Sequence, residues 1–102
     1  MNKQEFQRFL EEREFPPERI GTFLLFVEKF TATCERKSPA EVFPSFSAGM
    51  IAEKTNTYDN YYAIALYGRF IKDNALLLAA LELIDGSEAL DNLYKKTGDL
   101  LG

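Results

Sequence analysis

The sequence predicts an all-α fold: one compact bundle of about four longer and two short helices, a single domain over residues 1–102. Three observations predict it. Apolar residues recur at three- and four-residue spacing along most of the chain, which gathers them on one side of a helix. No alternating run bounded by hairpin turns occurs, and no fixed repeat. Helix punctuation recurs instead, with Ser, Thr, Asp or Asn where a cap is needed and Pro or Gly at starts and stops.

The first helix lies in NKQEFQRFLEERE, where Phe6, Phe9 and Leu10 share a face among charged residues. Asn2 caps it, with Glu5 three residues on as in a capping box. It ends before FPP, because Pro16 and Pro17 cannot continue a helix and each pushes its predecessor into extended backbone. Pro17 then suits the first turn of a second helix, and Glu18 favours its positive end. Ile20, Phe23, Leu24, Val27, Phe30, Thr31 and Cys34 fall on one face of that helix, and Leu25 and Phe26 widen it. A helix this apolar is expected to be covered on more than one side. Gly21 stands near its start, where glycine costs less than at mid-helix.

In SPAEVFP, Ser38 is the cap, Pro39 the first helical position and Glu41 the third, and Pro44 is expected to stop the helix within about two turns. SFSAGMIAEKTNT is read as a short helix over 48–54. Thr57 caps the next helix, which runs to about residue 72, and Asp73 or Asn74 starts another over about 75–84 that stops at Asp85-Gly86. Ser87 caps a last helix over about 88–97, stopped by Gly98. Leu100 and Leu101 follow it, either closing the bundle or marking a junction to the next segment of a longer protein whose N-terminal domain this would be.

Apolar residues at 46% and charged residues at 27% are the balance of a folded domain. Twelve Lys and Arg against sixteen Asp and Glu give a net charge of −4, so the average field repels phosphates and disfavours nucleic acid, although one face can differ in sign from the whole. The amino terminus has no apolar run of signal-peptide type, and the longest such run, 75–81, is far below the roughly 20 residues that cross a bilayer. With one cysteine, Cys34, and so no internal disulfide, the expected location is the cytoplasm.

The sequence contains no histidine. Ser-His and Cys-His nucleophile pairs and Cys/His zinc sites are therefore unavailable. Glu11, Glu12 and Glu14 around Arg13 read as a solvated face with i,i+3 and i,i+4 pairing, and Glu82 and Asp85 as polar relief for an apolar helix. No calcium-binding loop, GxGxxG or GxxxxGK[ST] is present. Cys34 reads as a small buried hydrophobe rather than a reactive thiol. The expectation is a non-enzyme with no catalytic residues, no cofactor and no metal.

One stretch stands out: NTYDNYYAIALYGRF holds four tyrosines, a phenylalanine and an arginine in fifteen positions. At 100° per residue, Tyr58, Tyr62, Ala65, Arg69 and Lys72 run along one side with Tyr61 at its edge, and little of the circumference is polar. Either this is a central helix whose hydroxyls reach the rim and whose Gly68 admits a close neighbour, or Tyr58, Tyr61, Tyr62, Arg69 and Lys72, with Lys54 nearby, form an exposed aromatic and basic interaction surface. Stripes at helical spacing usually pack into cores, which favours the first reading.

The order of a helix bearing FLEER, a phenylalanine-rich second helix and TYDNYYAIALYGRFI resembles the helical core-binding domain of tyrosine recombinases, over about two thirds of the chain. In that family a Thr-x-x-Tyr-like start precedes an aromatic helix. The resemblance implies DNA binding, and the acidic balance here departs from it. The leading expectation is a noncatalytic interaction or regulatory domain that binds a partner protein or adjoining domain through an aromatic helix surface. Self-association is open, and nucleic-acid binding is the alternative.

Overall fold

Four short connections, of three or four residues each, link five helices in the computed structural model, which describes residues 2–84: α1 (Lys3–Glu12), α2 (Pro17–Cys34), α3 (Pro39–Glu53), α4 (Tyr58–Phe70) and α5 (Asn74–Leu83). No strand occurs among the described residues. The all-α bundle is the observed architecture, with extents of 32 × 29 × 25 Å. The helix expected over 88–97, its cap Ser87, and Leu100 and Leu101 lie outside the described residues.

The starts follow from local chemistry. Asn2, Ser38, Thr57 and Asp73 each accept a hydrogen bond from the backbone N–H three residues on, at Glu5, Glu41, Asn60 and Leu76. Each such bond satisfies one of the donors that a helix start leaves without an intrahelical partner. Asp73, rather than Asn74, is the cap of α5. The ends use a different device: Glu14, Glu35, Lys54 and Lys72 all have φ between 51° and 62°. At Lys54 and Lys72 the chain closes with the next amide donating back five residues, Thr55 to Met50 and Asp73 to Gly68, both at 2.8 Å. This is Schellman-type closure with lysine where glycine is usual.

Pro44 does not end a helix. It sits at the sixth position of α3, which continues unbroken to Glu53 and merges the two short helices expected there. A mid-helix proline removes one hydrogen bond and costs about 3 kcal/mol. Phe43 and Met50, on either side of it, are both buried against the core, and burying two such side chains returns roughly 1.5–3 kcal/mol each. Packing therefore outweighs the local penalty.

α4 is the centre of the bundle. Residues 61–68 are buried without interruption, as a helix apolar nearly all round requires. α5, α2 and α1 all pack on it, and α3 reaches it through side chains. Its tyrosines divide the neighbours among them. Tyr67 meets Phe6 of α1 edge-on at 5.6 Å, Tyr62 meets Phe15 and Phe23 at 5.8 Å each, and Tyr61 meets Phe43 of α3 at 6.4 Å. Such pairs add about 0.5–1.5 kcal/mol beyond burial.

Candidate functional site

The aromatic strip expected as an interaction surface is not one surface. Tyr61 is 4% exposed and Tyr62 fully buried, so neither ring face is open to a base or a partner. The physical reason is the lack of polar arc on α4: with α1, α2 and α5 around it, those two positions fall under neighbours. Tyr58 is half-buried, standing edge-on to Tyr62 at 5.7 Å, while Arg69 is half-buried and Lys72 exposed at the far end of the helix. Lys54, at the end of α3, is exposed.

What the strip does near its amino end is structural. The Arg19 guanidinium of α2 lies 5.2 Å from the Phe23 ring centre and within 6 Å of the rings of Phe15 and Tyr62. Its Nη2 donates to Asp59 Oδ1 at 3.1 Å, which ties the start of α2 to the start of α4. Burial pushes the Tyr58 phenol above its ordinary range, with Arg19 opposing and Asp59 adding to the effect. Burial likewise raises Tyr67, and Cys34 beside it adds to the rise. Ser47 and Tyr61 hydroxyls meet at 3.3 Å inside the protein, joining α3 to α4.

Cys34 is a buried thiol whose Sγ donates to the Phe30 carbonyl at 3.5 Å, and burial raises its pKa. That agrees with the small-hydrophobe reading. Among the described residues no three acidic or cysteine side chains gather as metal ligands would.

The exposed apolar surface lies elsewhere. Leu25 is 69% exposed, the most of any large apolar side chain described. α2 is thus covered on its Phe23, Val27 and Phe30 side but open opposite, contrary to the expectation that Leu25 would widen a buried face. Leu25 stands almost directly across the helix from the core stripe; α1, α3 and α4 pack on the other sides and α5 lies against α4 and α3, so no described helix covers it.

Beside it runs a groove of about 320 Å³ between α2 and α3, bordered by Leu25, Phe26, Lys29, Phe46, Glu53 and Asn60. Phe46 stacks into α2, 4.9 Å from Phe30 and 5.7 Å from Phe26, and its other flank borders a second groove of about 480 Å³ toward Cys34 and Glu41. Lys29 Nζ and Glu53 Oε2 approach to 3.8 Å, with both side chains about two-thirds exposed. A groove of this volume has room for a small number of apolar side chains.

Sequence reasoning missed Leu25 and Phe46 as surface groups. Leu25 carried a signal, since it sits opposite the Ile20, Val27 and Cys34 stripe; Phe46 carried none, because Pro44 hid the helix that presents it.

Comparison with protein-family models, with curated proteins and with solved structures finds no match to this chain. The likeness to recombinase core-binding domains therefore rests on helix patterning alone. What fold and surface define is a class, an all-α bundle with an apolar groove on its α2–α3 side.

Proposed function

We propose that this domain is a noncatalytic interaction module that takes an apolar segment of a partner protein, or of an adjoining domain, into the groove between α2 and α3. The observation that carries the reading is Leu25, exposed at the mouth of a groove floored by Phe26 and Phe46. Full burial of a leucine or phenylalanine is worth about 1.5–3 kcal/mol, and the part of it that Leu25 and the two half-covered phenylalanines forgo is what a partner segment would recover. The Lys29–Glu53 pair bridges the charged rim weakly enough to be opened or engaged by an incoming helix. A single cysteine kept as a buried thiol suits a reducing, cytoplasmic setting.

The test is a titration of the labelled domain with amphipathic helical peptides carrying leucine or phenylalanine at i, i+4 and i+7, followed by NMR. Saturable shifts centred on Leu25, Phe26 and Phe46, lost in Leu25→Glu, are expected. Absence of saturable shifts up to about 1 mM peptide, or shifts that survive Leu25→Glu, would overturn the reading.

A further inference from the structure

We infer that the open face of α2 is self-complementary and pairs with the same face of a second copy of this chain. The inference builds on the reading of α2 as partner-facing and names an occupant for that face. Glu18, Gly21, Leu25, Glu28, Lys29 and Ala32 are all exposed and fall on one side of the helix. Gly21 is the anomaly among them. A Cβ built there meets nothing within 4 Å among the described residues, so no contact among them requires a glycine, and glycine is a poor helix former. One turn away stands the most exposed leucine among the described residues. A hole and a knob therefore lie side by side on a face that the described residues leave open.

Pairing two such faces antiparallel, with the two-fold axis at the level of Phe23, sets Leu25 of each copy level with Gly21 of the other. Two knobs enter two holes through one symmetry operation, the reciprocal pattern that an isologous interface demands. The charges fit the same register. Measured round the helix from Gly21, Glu18 lies at about 60° and Lys29 at about 80°, on one edge of the stripe, while Glu28 lies about 20° beyond the other edge. The two-fold axis keeps each edge against its own copy. Lys29 thus comes within about one residue rise, 1.5 Å along the axis, of the partner copy's Glu18 level. Glu28, held by Lys3 at 3.3 Å, stays on the opposite edge and away from Glu18. The Lys29–Glu53 pair, at 3.8 Å between exposed side chains, opposes this exchange only weakly.

Size limits the strength. From Glu18 to Ala32 the stripe is about 21 Å long and about 10 Å wide, well under the roughly 800 Å² per partner of a stable interface. Association is therefore weak, and flanking surface of α1 and α3 adds to it only at the edges.

Sedimentation equilibrium from about 10 μM to about 1 mM tests the inference. The wild-type mass should climb toward that of a dimer. Glu18→Lys and Lys29→Glu should each weaken association about tenfold, since the symmetry doubles every altered pair, and the double swap should restore it. Gly21→Leu should abolish association while leaving the monomer at least as resistant to urea, which a purely structural glycine would not do. A mass that stays monomeric at about 1 mM overturns self-pairing and leaves the groove reading intact if the helical peptides still bind. A dimer indifferent to these four variants overturns the assignment of the face.

Discussion

A Cβ placed on Gly68 would stand 2.9 Å from the backbone nitrogen of Leu77 and 3.2 Å from its Cα. α5 thus lies on α4 at backbone distance, and the neighbour is main chain that cannot swing aside. Gly68→Ala is expected to destabilise the domain by about 2 kcal/mol or more, read from urea unfolding. Gly49→Ala, where the added carbon meets nothing within 4 Å among the described residues, should instead gain roughly 0.5–1 kcal/mol. Equal effects at the two sites would contradict the close approach of α5.

The Ser47–Tyr61 contact should act as a pair. Tyr61→Phe leaves a buried serine hydroxyl without that partner, and Ser47→Ala does the same to the phenol. Each change is expected to cost about 1 kcal/mol, and the double variant less than the two together. Strict additivity in the double-mutant cycle would show that the 3.3 Å contact contributes nothing.

Glu35 closes α2 with φ 51° and ψ −114°, a conformation that side chains resist and glycine accepts. Glu35→Gly should raise stability by about 1 kcal/mol despite the greater freedom that glycine gives the unfolded chain. A lower melting temperature in Glu35→Gly would refute the strain.

Alkaline pH should weaken the fold. Burial raises the pKa of the Cys34 thiol and of the Tyr58 and Tyr67 phenols above their ordinary values of 9.0 and 10.0. The native state then holds these protons longer than the unfolded chain does. Their contribution is complete below the ordinary values and is lost as pH climbs through them toward the raised native ones. The urea midpoint should fall from pH 8 to pH 10.5, and Cys34→Ala should delay the onset of the fall. A midpoint that rises over this window contradicts the sign.

Much of the fold was legible because its signals are local. Asn2, Ser38 and Thr57 cap helices as their positions in the sequence imply, and Asp73 or Asn74 narrowed to the aspartate. Gly68 was legible too, as a small residue on a helix with no polar face. Pro44 was not, since the forces that carry α3 past it come from Phe43 and Met50 meeting distant helices. The same holds for the interaction surface. Spacing alone puts Tyr61 and Tyr62 beside Tyr58 on α4, and only the packing of α1, α2 and α5 decides that two of the three are covered. Leu25 failed in the opposite direction, because an apolar side chain on an apolar helix reads as buried until the number of neighbours is known.

The position of α4 along the chain also sets the order of events when the protein is made. Phe6, Phe23 and Phe43 all close against tyrosines of α4, which lie 61, 39 and 18 residues further along the chain. At about 5–20 residues per second, the first three helices wait seconds for the element that completes them. Their oily sides stay open for that interval, so a nascent chain halted before Phe70 should be sticky and protease-sensitive, and folding should come late and all at once.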